Sequence, residues 1–404
     1  MKSRQILALS LCLSLCCPCA IAAEEATVPF WRSTGKRVEM RLDWPESAFF
    51  QPAGTYDHGL ARMSLAMSLA AFGGRPDAPS AMIADFFAAL DFSAPQVAQY
   101  DTAGADTIGT AIAHRTLQSG ADTVTLVAVA IRGGNYGDEW LSNFACGADE
   151  SYHAGFAQAA RTVAARAAAY VREKDIAHPR FWLAGYSRGA AVANLTAGFI
   201  QEMGLAEDAD IFAYTFATPR TVRGELTGRH ANVINILNEA DIVTQVPLAA
   251  WGFGRFGQDL CLPVGEEAQG LLPDVRAAYR QYMDGEMAEE NGDLALQITS
   301  GAVTGLSLAV QNPEKYAAVY QALMSKAFTG QALSGSEMVQ LGALLMMMNN
   351  GILRETGRTA SLKTNLQSLQ DAFAAMNPIF QQHVPERYLA WMMTMPDGGQ
   401  LRMP

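Results

Sequence analysis

Leu183-Ala184-Gly185-Tyr186-Ser187-Arg188-Gly189-Ala190-Ala191 is the stretch whose reading decides the fold. Residues 180–183 before it, with Phe181 and Trp182, predict a short apolar strand; residues 188–203 after it, rich in Ala, Val, Leu and Ile, predict a helix. Between them Gly185-x-Ser187-x-Gly189 has the spacing of a nucleophile elbow. A serine at the tip of such a turn is held in strained backbone, and small residues two before and two after let the chain fold tightly enough. Its hydroxyl is then exposed, with the next N–H at a helix N-terminus where negative charge is favoured. In a chain with 35 glycines the bare pattern recurs by chance, so the strand before and the helix after carry the reading.

Outward from the elbow, residues 123–131 are a near-continuous β-branched run, as expected of a strand buried on both faces. Arg132-Gly133-Gly134-Asn135 follows, and residues 151–174 predict a long Ala-rich helix. Further strands are predicted at 211–217 and 232–237, the latter as the last of the core. Earlier helices are predicted at 56–72, with Leu60, Met63, Met67 and Leu69 at helical spacing, and at 81–90. Strands alternating with helices indicate an α/β fold, a mostly parallel sheet flanked by helices, whose chemistry sits at the strands' C-terminal ends.

An elbow serine takes its acid and then its His from later in the chain. The histidines are His58, His114, His153, His178, His230 and His383, and His383 alone follows the 232–237 strand. In Asn238-Glu239-Ala240-Asp241, directly after that strand, Asp241 is the preferred acid and Glu239 the fallback. A helix N-cap or a solvated loop carboxylate is the competing reading of Asp241. An oxyanion hole draws on the N–H of Arg188 and on the loop after 123–131, where Gly133 and Gly134 allow close backbone approach; a plain glycine turn is the alternative. His58 reads as structural.

Four separated stretches, in order, resemble the class 3 lipases of the α/β-hydrolase superfamily. They are Ile131-Arg132-Gly133-Gly134 with Trp140, Tyr152-His153-Ala154-Gly155-Phe156, the elbow, and Thr215-Phe216-Ala217-Thr218-Pro219-Arg220. Asn238-x-x-Asp241 is similar to that family's acid motif, so the resemblance spans about 56–246 plus a patch at His383. It implies an α/β-hydrolase-type sheet and carboxylic ester hydrolysis, with His153 as a structural residue at a helix start. The chain departs from the family by Tyr186 for a His, Arg188 for a Leu, Gly134 for a Ser or Thr, and Ala217 for a Gly.

The remaining features bound the setting. Residues 1–23 read as a secretory signal peptide: Lys2 and Arg4, an apolar run, then Ala20-Ile21-Ala22. Export follows, to the periplasm or beyond, as a soluble mature protein. Removing Lys2 and Arg4 takes the formal net charge from −11 to −13, which argues against a nucleic-acid partner. A membrane surface stays open through an apolar patch. Of six cysteines, Cys146 and Cys261 remain, and one disulfide and two separate thiols are equally supported. Residues 24–52 read as an irregular segment packed on the body.

The predicted layout is therefore a core at 24–261 with an N-terminal extension, a helical insert or cap at 262–376, and a C-terminal part of the core at 377–404 carrying His383. Within the insert, helices are expected at 273–283, 293–310, 313–328, 336–349 and 362–376, and Leu344-Leu345-Met346-Met347-Met348 is its most apolar patch. Met-rich surfaces suit flexible apolar ligands, although helical spacing alone also predicts plain burial. The leading reading is a serine ester hydrolase for lipid-like acyl esters, phospholipids included, using Ser187, His383 and Asp241. No metal or cofactor is implied. A non-catalytic binding protein and an acyltransferase using the same acyl-enzyme are the alternatives.

Overall fold

The computed structural model describes residues 24–31, 36–72, 78–100, 107–133, 151–283, 285–287 and 381–404, with a few further positions between 295 and 337. Its centre is a seven-stranded sheet in the order β11-β9-β7-β6-β5-β4-β3. The strands are β3 (Gln96–Ala98), β4 (Thr110–Ser119), β5 (Asp122–Ile131), β6 (Pro179–Tyr186), β7 (Ile211–Phe216), β9 (Val233–Leu237) and β11 (Gln258–Cys261). From β5 to β11 neighbouring strands are parallel, while β4 and β3 add an antiparallel edge. The sheet is therefore mostly parallel, as the alternating pattern predicts.

The two faces explain why the core strands read as unbroken apolar runs. Side chains along a strand alternate between faces. Val127, Val129, Phe181 and Leu183 pack on one face with helices α3 (Ala154–Glu173) and α4 (Arg188–Glu202). Leu126, Ala128, Trp182 and Ala184 pack on the other, with α1 (His58–Ala71) and α2 (Ala81–Ala89). Trp182 anchors that second face: its indole N–H donates to Ser64 Oγ at 2.8 Å, and its ring lies 5.5 Å from Trp44.

Residues 24–52 are not irregular. They form an antiparallel hairpin of β1 (Glu24–Trp31) and β2 (Arg37–Trp44), followed by a 3-10 turn at Glu46–Phe50. The period-2 signal is present in the sequence, because buried Met40, Leu42 and Trp44 alternate with exposed Glu39, Arg41 and Asp43. Trp44 and Phe49 then join Phe92 and Trp182 in an aromatic cluster, so the segment does pack on the body.

The strand at 232–237 is also not the last. β11 extends the sheet beyond β9 in parallel. A small antiparallel pair joins β8 (Val222–Arg223), which precedes β9, to β10 (Phe253–Gly254), which lies between β9 and β11. His383 still stands apart, because His230 precedes β9.

Three helices follow: α5 (Ile242–Gln245), α6 (Gly265–Met283) and α7 (Pro385–Thr394). Helix α6 begins eight residues before the predicted start at 273 and runs through Pro273, with Val275, Tyr279 and Met283 buried. Tertiary burial of that face overrides the boundary that proline suggests. The other helices expected in the insert, and the 344–348 patch, lie outside the described residues, as do 1–23. No helix among the described residues is long and apolar enough to cross a membrane.

Candidate active site

Parallel strands bring their C-terminal ends to one edge, and four loops of interest meet there: those after β5, β6, β7 and β9. Ser187 directly follows β6, with φ 57° and ψ −124°, a conformation L-residues rarely adopt. Its N–H donates to Phe216 O on β7 at 2.9 Å, and its carbonyl accepts from Ala191 N at 3.0 Å. The flanking glycines are sterically obligatory. A Cβ on Gly185 would stand 2.3 Å from Gly189 O, and one on Gly189 would stand 2.6 Å from the carbonyl oxygens of Ile131 and Arg132. The glycines thus let α4 leave the turn against both β6 and the end of β5.

The acid comes from the loop after β9. Asp241 is fully buried and divides its two oxygens. Oδ1 accepts from Val243 N at 3.0 Å and caps α5, while Oδ2 accepts from His383 Nδ1 at 2.7 Å. One oxygen thus caps α5, and the other meets His383. Glu239 turns instead to Arg402, whose Nη2 lies 2.8 Å from its carboxylate.

His383 ends a single 3-10 turn, Gln381–His383, just before α7. Its Nε2 stands 2.8 Å from Ser187 Oγ. With Nδ1 facing a carboxylate, Nδ1 carries the proton in the neutral ring and Nε2 is left to accept from the serine. Ser187, His383 and Asp241 are thus brought together in one hydrogen-bonded line, drawn from three loops that lie far apart in sequence.

Residues that motif reading did not single out hold this line. Tyr388 on α7 is buried; its hydroxyl donates to Asp241 Oδ2 at 3.0 Å and accepts from Asn238 N at 3.0 Å. Burial, and then the nearby Asp241 carboxylate, push the Tyr388 phenol well above its ordinary value, so it stays a donor. The Asn238 amide reaches Gln382 Oε1 at 3.0 Å, tying the loop after β9 to the turn bearing His383. Tyr186 contacts His383 as well. A phenol at 388 was visible in the sequence, but nothing in its spacing linked it to Asp241.

The oxyanion residues are placed in part. Arg188 is the first residue of α4, and first-turn N–H groups are not used by a helix's own bonds. Its side chain is buried and turned toward the start of α3, with Nη1 3.4 Å from Gly155 O and the guanidinium 5.7 Å from the Phe156 ring centre. Gly133 follows β5, and a Cβ there would fall 2.2 Å from the Phe72 ring, so the ring would have to move to admit another residue. Gly134 and Trp140 lie outside the described residues.

His153, His58, His114 and His230 are engaged elsewhere. His153 is buried at the N-cap of α3, its ring stacked 3.9 Å from Phe156. His58 Nε2 meets Met392 O at 2.9 Å, His114 Nδ1 meets the Tyr170 hydroxyl at 2.8 Å, and His230 Nδ1 meets Asp208 at 2.9 Å. Cys261 is a buried free thiol pushed up to about 11, chiefly by burial, and Cys146 lies outside the described residues. No group of three or more His, Cys, Asp or Glu among the described residues is arranged to hold a metal.

The family model described as Lipase (class 3) matches residues 128–251. Over that stretch the chain is similar to the class 3 lipases. The match includes β6, the elbow and Asp241, and it makes this a lipase-type carboxylic ester hydrolase with an α/β-hydrolase-type sheet. Solved structures similar to this chain include a triacylglycerol lipase whose catalytic centre is formed by a serine protease triad. It is 19% identical, with 51% of this chain and 79% of that one covered and a TM-score of 0.36. The mono- and diacylglycerol lipase of Aspergillus oryzae is 17% identical, covering 52% and 81%, with a TM-score of 0.36. The triacylglyceride lipase of Rhizomucor miehei is 16% identical, covering 44% and 76%, with a TM-score of 0.31. Such values transfer neither substrate nor residue roles. Comparison with curated proteins gives no match.

Proposed function

We propose that the lipase is an exported serine hydrolase of lipid-like acyl esters that works through Ser187, His383 and Asp241. The observation that carries this reading is the line from Asp241 Oδ2 to His383 Nδ1 at 2.7 Å and from His383 Nε2 to Ser187 Oγ at 2.8 Å. In the proposed reaction Ser187 Oγ attacks the ester carbonyl carbon as its proton passes to His383 Nε2. Buried Asp241 favours the imidazolium that forms. His383 then returns the proton to the departing alkoxide, leaving an acyl-serine. A water molecule, deprotonated by His383, releases the acid and restores the serine. The tetrahedral oxyanion is assigned to the N–H groups of Arg188 and Gly134, at the start of α4 and in the loop after β5.

Export is inferred from the leader-like 1–23 segment alone, and acylglycerols and phospholipids both belong to the proposed substrate class. The layout of a core at 24–261, a helical cap at 262–376 and a returning segment at 377–404 is part of the same proposal. One contact supports a cap near the site: Thr299 Oγ1 donates to Ala240 O, beside Asp241, at 3.2 Å.

The test is labelling of the mature protein with a fluorophosphonate probe, followed by turnover on esters graded by acyl length. Labelling should vanish in Ser187→Ala and fall by more than about a thousandfold in rate in His383→Ala. Wild-type labelling equal to that of Ser187→Ala would sink the reading. Labelling that survives His383→Ala would assign the base elsewhere.

A further inference from the structure

Tyr186 stands between β6 and the nucleophile, where class 3 lipases, on the resemblance above, carry a His. It is only 1% exposed, and its hydroxyl donates to the backbone carbonyl of His383 at 2.9 Å. Its ring centre lies 5.4 Å from the His383 ring, with the planes at 48°. Two further rings hold it on either side: Phe72 at 5.8 Å and Tyr388 at 5.4 Å, the latter edge-on at 88°. The position of this phenol is therefore set by the sheet and by aromatic packing rather than by the turn it touches.

The turn bearing His383 is not fixed in that way. It is one 3-10 turn, and its ties among the described residues include three side-chain bonds: Asn238 to Gln382, Asp241 to the His383 ring, and Tyr186 to the His383 carbonyl. Of these, only Tyr186 is bonded covalently to Ser187. The bond from Tyr186 to the His383 backbone and the contact from Ser187 to the His383 ring close a small loop through one peptide. A shift of the turn along the sheet edge strains the phenol bond as it changes the distance from Nε2 to Oγ.

We propose that Tyr186 is a positioning residue that sets His383 against Ser187, replacing with a phenol-to-backbone bond whatever a His at this position does in the family. The proposal rests on the triad reading, and its test separates the two. Tyr186→Phe keeps the ring and removes only the hydroxyl. Fluorophosphonate labelling rate, kcat and KM are measured for wild type, Tyr186→Phe, His383→Ala and the double variant, with thermal melting by circular dichroism to show each is folded.

The expected result is a fall of about tenfold in labelling rate and kcat in Tyr186→Phe with KM within about twofold, since a misplaced base slows the step it serves and leaves ester binding alone. In the His383→Ala background the same change should have no further effect, because Tyr186 acts only through that base. Tyr186→Phe within twofold of wild type, beside an inactive His383→Ala, overturns the positioning role and leaves the triad standing. An equal tenfold loss in both backgrounds also overturns it, because the effect then bypasses His383. Full activity in His383→Ala overturns the triad and this proposal with it.

Discussion

The two arms of the site are fixed by different physics. Ser187 is held by the chain itself: a positive φ, glycines whose missing Cβ atoms are filled by backbone at 2.3 and 2.6 Å, and a strand and helix buried on both sides. His383 is held by other people's side chains, so to speak — Asn238, Asp241 and Tyr186, with Tyr388 behind the acid. The first arm is a local device whose glycines cannot be replaced without changing the fold. The second is assembled across almost two hundred residues of sequence and can be loosened one bond at a time. Variants at the elbow glycines should therefore unfold the protein, and variants on the base arm should leave it folded and slow.

The largest expected effect is on the elbow. Gly185→Ala places a Cβ 2.3 Å from Gly189 O and 2.4 Å from its carbon, both backbone atoms at the start of α4. Nothing flexible can yield there, so the elbow must open or α4 must move off the sheet. A loss of more than about 3 kcal/mol is expected in chemical denaturation. A variant that melts as wild type does would mean that the tight turn is not what fixes Ser187.

Next comes Tyr388→Phe on the base arm. It removes the donor to Asp241 Oδ2 and the acceptor for Asn238 N–H, both buried. The expected stability loss is about 1–3 kcal/mol. The protein should remain folded, with its fluorophosphonate labelling rate lowered by about tenfold. Unfolding as severe as that of Gly185→Ala would erase the contrast between the arms.

Acid should also act on the base arm. His58 Nε2 donates to Met392 O on α7, the helix that carries Tyr388, while its Nδ1 faces the Tyr56 hydroxyl. Its folded-state value is lowered, by burial first and then by Arg62; the Met392 and Met395 carbonyls and Asp397 oppose that shift only in part. The neutral ring is thus the native form. Its contribution is complete above the unfolded value of about 6.5 and is lost as pH falls through the lower folded value. Melting temperature should fall more steeply from pH 7 to pH 5 in wild type than in His58→Gln. Parallel curves would remove His58 from the account.

The same contrast decides what the sequence could disclose. Ser187, its glycines and the strands around it were legible because each is a local pattern: a five-residue spacing, an apolar run, an Ala-rich helix. That Asp241 meets His383 was legible from its place after β9, and that His383 meets Ser187 by elimination, His383 being the sole His beyond that strand. The roles of Tyr186 and Tyr388 were not legible, because a phenol has no spacing signature and each bonds to a residue more than 140 positions away. The β1–β2 hairpin was legible in principle, through alternation at Met40, Leu42 and Trp44, but aromatic and proline content obscured the period. β11 is four residues long, which is too short for periodicity to register.

The smallest expected effect tests how rigid the sheet edge beside the elbow is. Ala217 directly follows β7 with φ 51°, is fully buried, and donates its N–H to Ile236 O at 3.1 Å. Class 3 lipases, by the resemblance, place a glycine here, as a left-handed residue invites. The left-handed conformation costs an alanine about 1–2 kcal/mol. Against that, Ala217→Gly gives up a buried methyl, worth about 0.8 kcal/mol. It also frees the unfolded chain, which costs about 0.4–1 kcal/mol more. The terms nearly cancel, so denaturation should show a change within about 0.5 kcal/mol and labelling should be unaltered. That balance is a physical reason the chain can carry alanine where its relatives do not. A loss above about 2 kcal/mol would show that the methyl fills space that neighbouring residues cannot close, and that this edge, like the elbow, is fixed by close packing.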